Sequence, residues 1–278
     1  MNYFEPDYQP MRYKNLFILF LSLVTACANP YRVTNREHKK MVKEFAKQLR
    51  QKPVQDSLYG PKYWAGTINF NLRKPSYVII HHTAQESCDQ TLRTFTMKQT
   101  QVSAHYVICK DGIIHHMLND YFRAWHGGLS RWGNLTDLNS ASIGIELDNN
   151  GTEPFPDVQM NSLMHLLDTL KNKYQIPQDN FLGHSDIAPR RKVDPNVLFP
   201  WKILSDKGFG MWYDDTTGIE VPPGFNAMAG LRMIGYSVQD TAAAIGSFKR
   251  HFIQDTIPQL NGQDLKILYR LAEKMSRN

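Results

Sequence analysis

Residues 77–82 read "YVIIHH". The run from Tyr77 through Ile80 is short, apolar and rich in β-branched residues, which predicts a buried strand from Tyr77 to about His81. Two histidines end it, where a rigid scaffold holds a side chain still. Alternation along a strand lets only one of the two point into a given cleft, and the run itself does not say which. Working outward, "CDQTLRTFTMKQ" (88–99) predicts a helix, and "HYVICKDGIIHHM" (105–117) predicts two strands around an Asp111-Gly112 turn. "SIGIELDN" (142–149) predicts another strand, stopped by Asn149-Asn150-Gly151. "DVQMNSLMHLLDTLKNKY" (157–174) is the clearest helix, with Asp157 placed to cap it and Leu163, Leu166, Leu167 and Leu170 on one stripe. Strands interspersed with helices predict an α/β layer fold for residues 61–205.

The flanks differ in texture. "NREHKKMVKEFAKQLRQK" (35–52) puts Val42, Phe45 and Leu49 on one helical face, so residues 28–60 read as a tether carrying a solvated helix. From about 206, a loop-like stretch containing "MWYDDTTGIEVPPG" leads into three helical segments near 223–234, 239–253 and 263–276. Ala244, Ile245, Phe248 and Phe252 share a face in the second, and Leu265, Leu268, Leu271 and Met275 in the third. Residues 206–278 therefore predict a small three-helix bundle, near the lower size limit for folding alone.

The chain has 278 residues, 42% hydrophobic and 21% charged, which excludes disordered and fibrous classes. Net charge is +6, and it stays +6 without residues 1–26, where Arg12 and Lys14 balance Glu5 and Asp7. A basic surface suits a polyanion, yet no nucleic-acid module is evident. Residues 11–27, "MRYKNLFILFLSLVTAC", have a basic start, an apolar core from Leu16 to Val24, and small residues before Cys27. This predicts a secretory signal. Its ending resembles bacterial lipoprotein signals, in which the cysteine, here Cys27, is lipidated and starts the mature chain. An ordinary cleaved signal is the alternative. Ala28 after the cysteine favours the outer over the inner membrane by the same resemblance. Cys88 and Cys109 remain, as one disulfide or two buried thiols.

Among ten histidines, His165 reads as a packed helix residue, and His38 and His251 as surface groups. "GHSDIAPRRKVDPNVLFPW" (183–201) is different. It sets His184 and Asp194 on a proline-pinned segment of the kind that carries sites. A histidine from the strand end, His184 and Asp194 together make three ligands with a fourth position left for water, the pattern of catalytic zinc. Glu146, at the end of an apolar strand, is costly to bury unless it reaches a cleft, and beside a zinc water it is a general base. Lys192, two residues before Asp194, points the same way if that stretch is extended and can stabilise an oxyanion.

In order and spacing, "YVIIHHTA", "SAHYVICKDG", "AWHGG", "SIGIELDN" and "GHSDIAPRRKVDPNVLFPW" resemble the zinc-dependent N-acetylmuramoyl-L-alanine amidases of the amidase-2 type. That group includes the phage T7-type lysozymes and resembles the peptidoglycan recognition proteins. The likeness covers about 75–205. It implies a central mixed β-sheet flanked by helices. It implies His81, His184 and Asp194 as the Zn2+ ligands, with Glu146 and Lys192 as catalytic residues. "DPN" after the ligand departs from the family, where glycine often follows the proline. His105, Trp125 and His126 are expected to line the substrate groove. The C-terminal helices resemble the type 1 peptidoglycan-binding domain, with a stabilising helical cap as the alternative. Taken with the N-terminal signal, the likeness implies a monomeric outer-membrane lipoprotein with its catalytic domain in the periplasm, cutting peptidoglycan or muropeptides. A non-catalytic peptidoglycan-binding lipoprotein is the first rival. The second is a structural zinc lipoprotein, which needs a fourth protein ligand such as His82 or Cys88.

Overall fold

A computed structural model describes residues 29–50, 67–69 and 71–277. The signal-like segment, Cys27 and residues 51–66 lie outside the described residues. Arg32–Leu49 form α1, an 18-residue helix with no buried residue, in a unit ending at Ile68. The second unit, residues 69–278, holds everything that follows. In chain order it contains β1 (Tyr77–His82), α2 (Cys88–Thr96), β2 (Tyr106–Ile108), β3 (Ile114–His116), α3 (Leu138–Ala141), β4 (Ser142–Leu147) and α4 (Asp157–Tyr174). Then come β5 (Phe181–Gly183), α5 (His184–Ile187), α6 (Trp201–Asp206), α7 (Ala227–Ile234), α8 (Thr241–Phe252) and α9 (Gly262–Ser276).

The strands form a five-stranded mixed sheet in the order β3-β2-β4-β1-β5. β1 pairs parallel with β4 and β5, β2 pairs parallel with β4, and β3 closes the edge antiparallel to β2. The β2–β3 turn runs through Gly112 at φ +85°, where a side chain would meet Ser162 and Val158. A disulfide joins Cys88, at the start of α2, to Cys109, just after β2, with Cα atoms 5.4 Å apart.

Each face of the sheet has its own core. Val78, Ile80, Ile143, Ile145 and Leu147 pack on the α4 stripe of Leu163, Leu166, Leu167 and Leu170. Asp157 does not cap α4. Pro156 holds the N-cap position and Asp157 lies in the first turn, where its charge faces the positive end of the helix. His165 is exposed on this helix rather than packed. On the opposite face, Ile79, Leu138, Leu182 and Ile187 share a cluster with Leu231, Phe248, Phe252, Leu268 and Leu271 of α7–α9. Asn226, Asp240 and Asn261 cap these three helices through their side chains. The bundle thus buries its apolar faces against the sheet as well as within itself.

Candidate active site

Register positions the first two side chains. β1 and β4 set His81 opposite Glu146, and paired residues of neighbouring strands, about 4.8 Å apart, point to one face. His82 falls in register with Leu147, on the α4 face, so the strand-end ambiguity resolves to His81. Ile80 pairs with Gly183, which delivers His184 beside His81 as β5 ends. These are the carboxyl ends of parallel strands, where open α/β sheets hold their ligands. Asp194 returns on the loop after α5. That loop is closed by the Ser185 N–H donating to the Asp194 carbonyl at 2.8 Å, and the Asp194–Pro195 peptide is cis.

Three donor atoms converge. His81 Nδ1 and His184 Nδ1 are 2.9 Å apart, and each is 3.0 Å from Asp194 Oδ2. All three side chains are buried. His184 Nε2 lies 3.2 Å from the Gly127 carbonyl. A carbonyl only accepts, so Nε2 carries the hydrogen and Nδ1 presents a lone pair. Two imidazole nitrogens and a carboxylate oxygen crowded on one point repel each other unless a cation lies among them. The residues therefore fit a metal, and an N2O donor set is one that zinc accepts. Among the described residues the structural-zinc alternative finds no fourth ligand, because His82 is on the other face and Cys88 is in a disulfide.

The electrostatics agree with this donor set. Burial, followed by the neighbouring His184, pushes His81 down to about 4, so its ring is neutral at neutral pH, as a ligand must be. Burial raises the Asp194 carboxyl, but contacts from His184 and His81 outweigh it and hold the group well below the usual carboxylate range. Glu146 is 8% exposed, and its Oε2 has no hydrogen-bond partner among the described residues. Burial, then the Asp194 charge, pushes Glu146 up to about 8, while Lys192 pulls the other way. Lys192 is half-buried, and its charge is felt at both His81 and Glu146. The five residues of the expected site therefore form one electrostatic group.

The three expected groove residues scatter. Trp125 is 49% exposed, its backbone N–H held by Ser103 Oγ. His105 is fully buried in the scaffold. Its Nδ1 accepts the Gly144 N–H and its Nε2 donates to the Phe122 carbonyl, which leaves neither nitrogen for a substrate. His126 is buried behind His81, its Nδ1 3.1 Å from His81 Nε2. Sequence reasoning also missed Asp186. This buried carboxylate accepts from the Gly183 N–H (2.8 Å), the Tyr236 hydroxyl (2.7 Å) and His251 Nδ1 (2.8 Å). His251 is accordingly no surface group. It is 2% exposed and stacked on Trp201, because α8 turns this edge toward α5, the short helix that begins at His184. The available signal was the Gly-His-Ser-Asp spacing, in which a carboxylate three residues into a helix reaches back to the cap N–H.

Residues 71–197 match the amidase-2 family, described as N-acetylmuramoyl-L-alanine amidase. That segment, a little under half of the chain, is similar to the amidase-2 family. N-acetylmuramoyl-L-alanine amidase AmiD of Escherichia coli is 38% identical over 153 residues, covering 49% of this chain and 54% of AmiD. Among solved structures, the chain is similar to E. coli AmiD in complex with the substrate anhydro-N-acetylmuramic acid-L-Ala-D-γ-Glu-L-Lys. The TM-score is 0.67 at 28% identity, covering 81% of this chain and 98% of that one. AmpDh3 of Pseudomonas aeruginosa, in complex with anhydromuramic pentapeptide, gives 0.67 at 27%, covering 80% and 99%. The chain spans about half the length of the curated relatives it matches. The convergent triad and Glu146 both fall in the matched segment.

Proposed function

We propose that this protein hydrolyses the amide bond between N-acetylmuramic acid and L-alanine in peptidoglycan or its muropeptide fragments. The observation that carries the reading is the His81–His184–Asp194 convergence beside a buried Glu146 whose Oε2 has no hydrogen-bond partner among the described residues, in a segment that matches the amidase-2 family. Zinc held by the triad would supply a water of lowered pKa and a polarised carbonyl. Glu146 takes the proton of the attacking water at its carboxylate and passes it to the departing amine of L-alanine. Its raised affinity for a proton suits both halves of that transfer. The Lys192 ammonium stands near the oxyanion that develops on the lactyl oxygen. Relatives solved with anhydromuramic peptides support muropeptides as the substrate class. The intact pair of Glu146 and Lys192 favours catalysis over the binding-only reading.

The test uses purified muropeptides and mass spectrometry. Free stem peptide is expected with zinc and lost after chelation. Glu146→Gln is expected to slow release by about 10²- to 10⁴-fold. Wall binding without release, by every preparation, would return the protein to the binding-only class.

Export and a lipid anchor at Cys27 belong to the same proposal. The Cys88–Cys109 disulfide supports an oxidising compartment such as the periplasm, and the "VTAC" ending supports anchoring in the outer membrane. Cys27→Ser is expected to move the protein from the membrane fraction to the soluble one. The core shared by α7–α9 and the sheet favours the bundle as a cap that stabilises the amidase-2 domain, with peptidoglycan binding as its second role.

A further inference from the structure

The proton positions behind the triad can be followed one atom at a time. Ser142 opens β4, and its hydroxyl donates to the Leu138 carbonyl. A hydroxyl has one hydrogen, so toward His126 Nε2, at 3.2 Å, Ser142 Oγ can only accept. His126 Nε2 therefore carries a hydrogen. The ring is buried against His81 and His105, two other imidazoles, which keeps it neutral. Its Nδ1 is then bare and faces His81 Nε2 at 3.1 Å. That contact is a hydrogen bond only if His81 Nε2 holds the hydrogen, which leaves His81 Nδ1 as a lone pair aimed at His184 and Asp194.

Neighbouring groups hold this arrangement in place. Asn139 Oδ1 accepts both the His126 N–H (3.1 Å) and the Gly127 N–H (2.7 Å). The Gly127 carbonyl is the group that fixes His184. One dipeptide, 126–127, thus holds the outer nitrogens of both histidine ligands. Gly144 leaves room for it, since a Cβ there would sit 2.4 Å from His126 Cγ.

We propose that Ser142, acting through His126, is a positioning residue that locks His81 in the tautomer needed for metal binding. The chain from the Leu138 carbonyl through Ser142 and His126 to His81 sets metal affinity without touching metal or substrate. Outer partners of metal-bound histidines act in this way in general. Without the Ser142 hydroxyl, His126 can carry its hydrogen on Nδ1, facing His81 Nε2. His81 then turns away or takes its own hydrogen on Nδ1, and either outcome removes a ligand. The inference rests on the metal reading of the triad.

The experiment uses the full chain, metal-free and zinc-loaded, labelled with 15N-histidine. In the metal-free wild type, ring 15N shifts are expected to show His126 and His81 both as Nε2–H tautomers. In Ser142→Ala, His126 is expected as a mixture or as Nδ1–H. Zinc affinity by chelator competition is expected to fall about 10- to 100-fold, with Ser142→Thr closer to wild type than Ser142→Ala. A wild-type His126 found as Nδ1–H overturns the proposal without any variant. So does a Ser142→Ala protein that folds and binds zinc within threefold of wild type. If wild type binds no zinc, the metal reading itself has failed, and the claim about metal affinity falls with it. The wild-type ring shifts then separately decide the tautomer chain.

Discussion

Glu146 and Gly144 lie two residues apart on β4 and show how little of a site's chemistry resides in side chains taken singly. Glu146 titrates at about 8 because it is buried beside Asp194, against an ordinary value of 4.5. A carboxyl raised on folding stabilises the fold fully below pH 4.5, and that contribution is lost as pH rises toward 8. His81, lowered from 6.5 to about 4, contributes in the opposite sense, with stability present above 6.5 and lost as pH falls through 4. Comparison with Glu146→Gln isolates the first effect. In metal-free protein, the melting temperature of Glu146→Gln should rise relative to wild type between pH 5 and 8. Zinc should shrink that difference, because the cation's field favours the ionised carboxylate. A flat difference across this range would remove the raised carboxyl. Gly144→Ala should cost about 1–3 kcal/mol by overpacking, read from denaturant unfolding, and should weaken zinc binding by displacing His126. At this scale the legibility of the sequence was uneven. His184, Asp194 and Glu146 stood in recognisable settings, because strand ends and proline-pinned loops advertise themselves. The strand pattern leaves His81 and His82 open and the family resemblance points to His81; the register that sets it opposite Glu146 is contained in no local pattern. Ser142 and Gly144 looked like ordinary strand residues, since their importance lies in what approaches them.

At the scale of elements, the strands and the long helices were readable because burial on one face imposes a period. α4 shows its leucine stripe, and β1 and β4 their β-branched runs. What failed were the short connections. The "AWHGG" segment looked like a groove wall, and only part of it is exposed. Its His126 and Gly127 instead face inward, toward the ligand histidines. A loop has no period, so its inward and outward residues cannot be told apart beforehand. The Cys88–Cys109 pair was equally open, because two cysteines 21 residues apart meet only if α2 folds back along β2. Cys88→Ser should destabilise the domain by about 2–4 kcal/mol, measured by urea unfolding, while its effect on zinc affinity stays within threefold. A large loss of zinc binding would instead place the disulfide in the support of the triad.

At the scale of the whole polypeptide, the sheet order β3-β2-β4-β1-β5 and the seat of the C-terminal helices were not legible. Both depend on long-range contacts between segments whose own patterns are complete. The sequence shows three amphipathic helices able to close on themselves. The structure spends part of their apolar surface on Ile79, Leu138, Leu182 and Ile187. It also joins them to the His184 loop through Asp186. Tyr236→Phe removes one of the donors to that buried carboxylate and should cost about 1–3 kcal/mol, seen in thermal unfolding as a single transition shifted down. Two separate transitions would show that bundle and sheet unfold independently.

Asp186 has a further consequence, for exchange between proteins. A bundle packed only within itself could be traded for any other small helical module. This one supplies Tyr236 and His251 to a carboxylate two residues from His184 of the triad. A chimera with different C-terminal helices would inherit a buried, underpartnered carboxylate beside the His81–His184–Asp194 triad. Recombination at this boundary is therefore restricted to donors that bring the same two groups to the same place.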